Sequence, residues 1–435
     1  VRRGGWDPLL LVLAGVLLQY VWRVQEVFQI LGKVQFTAVV SVGAVILFLL
    51  DGHPARQLGH LRHGLFRLML AILMLAILSI PTSLRDGAST QFITGNFAKT
   101  IVLTAIVAAA IRGRGDLERL LRVFVLGGAG YVVTALLFGR TWSSRLGGVG
   151  SYDPNDLGLF TVCTIPLCVY LLRRGAGRLE RLAGIGAVML LFIGTVQSGS
   201  RGGFLALIVI GVYGLLGLDA IRRSKRLAVT VVAAALLVVA GGDQYWQRMQ
   251  TILHPQEDYN WLGHSESGRI EVWMRGLGYM VRHPVLGVGI DQFNAAEGTM
   301  APQAARQDLG IGFKWSGPHS SYVQIGAELG VMGLVLFLAL LWRAFREARR
   351  IGRTAAAPGD RLLGQAFGGM VVGYVVGGAF LGQAYAPYLY FSLGLLIGLS
   401  RVVARDAAIT PLVGRAAYDA GHVRERGGAG RRLGA

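Results

Sequence analysis

Residues 181–218 read RLAGIGAVMLLFIGTVQSGSRGGFLALIVIGVYGLLGL. Two apolar blocks, 181–198 and 202–218, flank a Gly/Ser turn that carries a single arginine, Arg201. Neither block alternates polar with apolar residues, so neither reads as a half-buried strand. Each approaches the ~20 residues that cross ~30 Å of hydrocarbon at ~1.5 Å rise per residue. In lipid every backbone N–H and C=O must be satisfied within the segment, so blocks of this kind must be helices. The stretch is therefore a membrane-spanning helical hairpin.

The same pattern extends in both directions. Twelve candidate spans follow: 8–22, 36–50, 65–81, 92–111, 119–138, 156–172, 181–198, 202–218, 226–241, 320–342, 364–382 and 387–403. Composition agrees, with 53% hydrophobic against 15% charged residues and a mean hydropathy of +0.52, where soluble domains carry roughly 25% charged. The alternation of an outer-membrane barrel is absent. The expected fold is an all-α polytopic transmembrane bundle. Arg2 and Arg3 before the first block imitate a secretory signal, but no small-residue cleavage site follows, so that block is expected to be a retained helix.

Arginine placement orients the chain. With the N-terminus inside, inside loops carry Arg56, Arg62 and Arg67, then Arg112 to Arg122, Arg173 to Arg181, Arg222 to Arg226, and Arg343 to Arg361. Short outside loops carry Arg23, Lys33, Arg85, Arg140, Arg145 and Arg201. This bias sets topology and accounts for most of the +19 charge. It makes anionic lipid headgroups, not nucleic acid, the partner of the basic surface. The expected organisation is a membrane bundle over 1–241, a long periplasmic loop over 242–319, a second bundle part over 320–403, and a disordered basic cytoplasmic tail over 404–435. Both termini are expected in the cytoplasm.

The long outer loop breaks the rhythm of short turns, and long loops in compact proteins tend to be functional. Within it, Gly268 to Arg282 reads as an amphipathic helix with Ile270, Trp273, Leu277 and Met280 or Val281 on its apolar stripe. Such a helix can lie in the membrane interface. Arg275 and Arg282 are read as its solvated face, with Arg275→Lys expected to be tolerated. Cys163 and Cys168, both within one span, read as packing residues, and no zinc-ligand spacing occurs.

Polar groups at or within a bilayer are expensive and mark candidate sites. Arg201 opens a span directly after a tight turn, where free helix N–H groups and a guanidinium together suit a phosphate. The simpler reading is an arginine that anchors the helix end by snorkelling. Arg269, four residues before Trp273, is either a second anion contact or a solvated side chain. His319 follows Pro318 and precedes Ser320, Ser321 and Tyr322, where the long loop re-enters the membrane. A helix N-terminus keeps imidazole neutral, so His319 is a candidate general base, weighed against a capping or packing role. His254, His264 and His283 compete for that role. Asp156 lies in Asp153-Pro154-Asn155-Asp156, a natural helix start. Lys99 and Glu328 fall inside spans and are expected to pair within the bundle. The outer loops hold no Walker motif, paired-carboxylate site or DxD-type metal site, so nucleotide-driven chemistry is not indicated.

Taken together, these motifs resemble the O-antigen ligase and polymerase superfamily of bacterial inner-membrane glycosyltransferases. The matching pieces are Asp153-Pro154-Asn155-Asp156-Leu157, Ser200-Arg201-Gly202-Gly203, Gly268-Arg269 with Trp273, His283-Pro284 through Gly289, and Pro318-His319-Ser320-Ser321-Tyr322 leading to Ala327-Glu328-Leu329-Gly330. They run over roughly residues 150–345, and Ser320 stands where many relatives have Asn. The resemblance implies a glycan donor on undecaprenyl pyrophosphate and inverting transfer to an acceptor hydroxyl at the periplasmic face, with neither metal nor cofactor. His319 would be the base, and Arg201 and Arg269 would hold the pyrophosphate. Lys99, Asp156, Tyr322 and Glu328 are supporting candidates. The acceptor would be a glycolipid such as lipid A-core. Polymerisation of glycan repeats or protein O-glycosylation would use the same donor. A transporter or flippase of a lipid-linked or anionic substrate is the alternative from another class. It would call for internally repeated halves and midplane ionisable groups, and the sequence lacks the repeat.

Overall fold

The computed structural model describes residues 5–142, 144–150, 152–173, 175–254, 268–309 and 315–429; at 29, 60, 61 and 409–429 the backbone alone is described. Every one of the twelve apolar segments lies on a helix. They are α1 (Pro8–Val21), α2 (Phe36–Leu50), α3 (Gly64–Leu78), α4 (Asp86–Ala110), α5 (Arg114–Phe138), α6 (Pro154–Leu172), α7 (Arg178–Gln197), α8 (Arg201–Gly217) and α9 (Arg223–Ala240). The loop helices α10 (Asp243–Gln250), α11 (Arg269–Arg282) and α12 (Phe293–Thr299) follow, then α13 (Ser321–Thr354), α14 (Pro358–Gly377) and α15 (Pro387–Ala429). The chain is thus an all-α polytopic membrane protein.

The segments are not equal. Among the described residues, seven helices are long and apolar enough to cross a membrane, and α9 with α10 passes only as a pair bent by 107°. The remaining four, α1, α2, α3 and α8, are shorter apolar helices of 14 to 17 residues. The last helix continues to Ala429, into the segment expected to be a disordered tail.

Helix starts follow local chemistry. Asp7, with Pro8 next, accepts from the Leu10 amide at 3.0 Å and caps α1. Asp153 caps α6 by accepting from the Asn155 and Asp156 amides, and the Asp156 carboxylate accepts in return from the Asp153 amide, a reciprocal capping box. Small residues bring helices together. A Cβ on Gly377 would sit 2.4 Å from Leu159 Cδ1, and one on Gly373 2.5 Å from Ile210 Cδ1, so α14 lies close on α6 and α8.

One helix is broken. In α13 Gly330 adopts φ 69°, ψ −171°, a conformation open essentially to glycine. The break frees backbone groups, and the 284–289 turn takes them up. Val288 N–H donates to Ala327 O at 2.9 Å, Gly289 N–H to Glu328 O at 3.1 Å, and Val331 N–H to Pro284 O at 2.8 Å. Broken helices are tolerated at membrane depth when protein satisfies the backbone in this way. The motifs His283-Pro284 to Gly289 and Ala327 to Gly330 are therefore two halves of one backbone joint.

The amphipathic loop helix forms. Of the expected stripe, Ile270, Trp273 and Met280 are half-buried and Leu277 is exposed, as are Met274 and Val281, while the fully buried positions are Val272, Gly276 and Tyr279. Gly276 is the cause. A Cβ there would meet Val323 Cγ1 at 2.4 Å and the Phe293 ring at 2.8 Å, so α11 docks glycine-first onto the start of α13. The exposed apolar side chains remain for an interface.

Candidate active site

The site end of the bundle holds the turn 198–201, a short hairpin pairing Thr141 with Leu146 and Trp142 with Arg145, the loop helices, and the start of α13. Ser200 caps α8, its Oγ accepting from the Gly203 amide at 3.2 Å, which places Arg201 at the first helical position. Gly199 before it has φ 53°. A Cβ on that residue would lie 2.9 Å from Arg248 Nη1 and 3.3 Å from Arg145 Cγ, so two further arginines close over the turn. Arg145 donates from Nε to Ser198 O at 2.8 Å and from Nη2 to Asn155 Oδ1, tying the hairpin to the turn and to α6. Arg201 donates from Nη1 to Thr251 Oγ1 at 2.7 Å, and Thr251 in turn donates to the carbonyl of Arg248 at 2.8 Å.

Four arginines thus share one neighbourhood. Burial first, and then the charge of Arg248, with Arg269 and Arg201 contributing further, pull the Arg145 guanidinium down to about 10 against the opposing pull of Asp153. Cations crowded in a partly desolvated place repel one another, and a bound anion relieves that repulsion. Arg145 and Arg248 were not among the residues singled out from sequence. Arg145 carried a signal, as a cation on a short outside loop; Arg248 carried none, because its approach depends on the 107° bend between α9 and α10.

His319 lies just before the start of α13. It has φ 46°, a left-handed conformation uncommon for a non-glycine residue, and it immediately precedes Ser320, whose Oγ caps α13 by accepting from the Val323 amide. Trp273 Nε1 donates to Pro318 O at 3.0 Å, which fastens α11 to the peptide just before the histidine. The Trp273 ring also meets Phe380, with centroids 6.3 Å apart. Phe380 in turn lies against Gly202, where a Cβ would be 3.0 Å from Phe380 Cβ. The Arg201 turn and α11 therefore meet at Phe380, and α11 in turn holds the peptide before His319 through Trp273.

A second network holds the segment after His319. Ser321 Oγ donates to Leu381 O at 2.6 Å and accepts from the Gln383 amide at 3.0 Å. Tyr374 OH donates to Gln383 O at 2.7 Å, and Gln383 Nε2 donates to Asp156 Oδ1 at 2.6 Å. Asp156 thus links α6 to the segment that carries Ser321.

The other candidates separate from the site. Lys99 is exposed and has no ion pair or hydrogen bond among the described residues, so the expected partner inside the bundle is not there. Its place on the outer surface of α4 explains this, since a lysine there can extend toward an interface. Tyr322 donates to Val375 O at 2.7 Å and packs on Phe337, a helix-to-helix tie. Glu328 is buried and accepts from the Phe293 amide at 3.2 Å beside the Gly330 break, serving the backbone joint and not the histidine. His283 is exposed at the end of α11, and His264 lies outside the described residues. Arg275, expected on a solvated face, instead forks onto Glu297, with Nε to Oε1 at 2.9 Å and Nη2 to Oε2 at 2.5 Å, while Tyr279 OH donates to the same carboxylate at 2.8 Å. Glu297 is wholly buried, so Arg275 is drawn inward to neutralise it.

A multi-pass helical membrane protein that gathers four arginines and a strained histidine at one end is a class suited to a membrane-borne anionic substrate. Residues 186–338 match the family described as O-Antigen ligase, an independent match to the superfamily that the sequence motifs resemble. That stretch contains Arg201, Arg248, Arg269 and His319 but not Arg145 or Asp156. The match supports glycan transfer at a membrane. No curated protein matches the chain.

Proposed function

We propose that the protein transfers a glycan from an undecaprenyl-pyrophosphate carrier to an acceptor hydroxyl at the periplasmic face of the bacterial inner membrane, with inversion and without a metal. The observation that carries this reading is the convergence of Arg145, Arg201, Arg248 and Arg269 near the Gly199 turn, linked through Phe380 and Trp273 to the peptide that precedes His319. A lipid pyrophosphate offers several anionic oxygens at the membrane surface, matched to several guanidiniums and the N-terminus of α8.

The chemistry follows from those groups. His319 takes the proton of the acceptor hydroxyl as its oxygen bonds to the anomeric carbon. The bond from that carbon to the phosphate oxygen breaks, and its electron pair leaves with the pyrophosphate. Arg201 and Arg269, assisted by Arg145 and Arg248, stabilise the charge that develops there. The apolar carrier tail lies against the lipid-facing helices, which gives a transferase reason to be built as a bundle. A lipid A-core acceptor fits a ligase. Glycan polymerisation and protein O-glycosylation would use the same residues and differ only in the hydroxyl presented.

Turnover of purified protein with lipid-linked donor and acceptor tests this. His319→Ala should lose on the order of 10²–10⁴-fold in rate, the usual worth of general-base catalysis. Arg201→Lys should also be impaired, because a bidentate fork is replaced by a point charge. Activity should persist in EDTA. Near-normal turnover of His319→Ala, with loss in His283→Ala, would show the base to be misassigned; rescue of a chelated enzyme by a divalent ion would reject the metal-free mechanism.

A further inference from the structure

Next to the arginine cluster lies a crevice of about 420 Å³, bounded by the 198–201 turn, the 141–146 hairpin and the bent start of α10. Arg145 and Arg248 form the side it shares with the cation cluster, and Gln197, Asp243, Gln244 and Tyr245 lie on the rest together with the smaller Val196 and Ala240. We propose that this crevice is the subsite for the sugar bonded directly to the carrier pyrophosphate. The proposal rests on the function proposed above and names a part of the site that function leaves undefined.

Three observations support it. The first is position. In a lipid-pyrophosphate glycan the first sugar is bonded to the terminal phosphate, so its subsite must share a border with the anion site. Arg145 and Arg248 belong to both. The second is chemistry. Two carboxamides and a carboxylate offer donors and acceptors together, the combination that vicinal hydroxyls require, and the Tyr245 ring adds an apolar face. The third is shape. Gln197, Asp243 and Gln244 are exposed, so the crevice opens outward. A sugar can be held at its base while the rest of a long glycan leaves through the mouth. The volume is within the range of small-ligand pockets.

The walls come from sequence features with no other evident purpose. The bend of 107° between α9 and α10 falls at Gly241 and Gly242. A Cβ on Gly241 would meet Tyr245 Cδ1 at 2.8 Å and Trp246 Nε1 at 2.9 Å, so glycine lets α10 fold back far enough to bring Tyr245 and Arg248 to the turn.

The test compares two lipids on the full chain in nanodiscs: undecaprenyl pyrophosphate, and the same lipid carrying one N-acetylglucosamine. The wild type should bind the sugar-bearing lipid on the order of tenfold more tightly, the value of one or two good hydrogen bonds. The double variant Gln197→Ala with Gln244→Ala should bind both lipids equally, with its affinity for undecaprenyl pyrophosphate unchanged. Equal affinities in the wild type overturn the proposal. So does a double variant that keeps the preference, or one that loses both lipids alike. If the wild type binds neither lipid, the pyrophosphate reading of the arginines falls first and the subsite falls with it.

Discussion

Arg275 lies on a helix whose sequence reads as amphipathic, and its guanidinium forks onto Glu297, a carboxylate with no solvent exposure. The hydrogen bond to Glu297 raises the Arg275 pKa above its ordinary value. Removing one partner of such a pair leaves a buried charge uncompensated, at about 3–5 kcal/mol. Arg275→Ala should therefore lower the melting temperature strongly in detergent, and Arg275→Lys should lower it measurably because one arm of the fork is lost. Arg282, an exposed residue that donates to Gly278 O and lies over the Tyr279 ring at 5.5 Å, is the control, and Arg282→Ala should shift stability by no more than ~1 kcal/mol. Equal melting of the two alanine variants would show Glu297 to be neutralised by other means. At the far end of the bundle Arg56 is likewise buried, donating to Asp7, to Asp51 and to Ala110 O at 3.1 Å. Burial would raise both carboxyls, but the Arg56 hydrogen bonds and charge outweigh it and leave both pKa values below the carboxylate norm. A lowered folded pKa contributes stability that is complete above about pH 4 and is lost as pH falls through the folded values. Melting curves between pH 7 and pH 3 should show an acid-side loss that shrinks in Arg56→Gln; an unchanged acid limb in that variant would mean that the Arg56 bonds to Asp7 and Asp51 do not set it.

At the scale of the element, the helix break at Gly330 is the sharpest device. With φ 69° and ψ −171°, any residue with a Cβ costs about 1–3 kcal/mol in backbone strain alone. A Cβ would also approach Pro284 O to 2.4 Å. Gly330→Ala should thus loosen the 284–289 turn from α13 and lower stability, while Gly211→Ala, in an open helical position, should be neutral or slightly stabilising. Melting temperatures of the two variants decide the point, and indistinguishable values would mean that the break relaxes at little cost. The break also marks the limit of what the sequence makes legible. The bilayer imposes a length and an apolar composition on each span, so the apolar helices could be read directly, while among the described residues seven of them, or eight with the bent pair, are long and apolar enough to cross. That span ten is two helical pieces could not be read, because the break is stabilised by backbone bonds from residues some forty positions earlier. The deepest face of α11 is hidden from hydropathy for a related reason. Its centre is Gly276, which adds no hydropathy and is buried because it permits contact with Val323 and Phe293. Within the site, Arg201, Arg269 and His319 stand beside turn-forming residues and helix starts, which local reading finds. Arg145 and Arg248 come together only when a hairpin and a bent helix meet over Gly199.

At the scale of the whole molecule, the two ends of the bundle differ in how they use arginine. At the end opposite the site, arginines are tied to carboxylates and helix termini: Arg112 to Asp116, Arg173 to Glu180, and Arg401 to Ala108 O and Ala55 O. At the site end, four arginines gather where Asp153 is the acidic group that opposes them at Arg145. The first arrangement suits a surface that must hold positive charge against anionic headgroups permanently. The second holds four cations close together at one turn, a grouping suited to a ligand with several anionic oxygens. The proposed function puts the consistently basic loops of the far end in the cytoplasm, as the positive-inside rule expects, and the site in the periplasm. A site on that side would have no nucleotide sugars to draw on, so on that proposal the energy of transfer would arrive stored in a lipid-linked donor. A reporter fused near residue 290 should therefore behave as periplasmic and one near residue 355 as cytoplasmic. A cytoplasmic signal at 290 would put the four arginines and His319 on the side where activated nucleotide sugars are available, and the argument for a lipid-pyrophosphate donor would lose its premise.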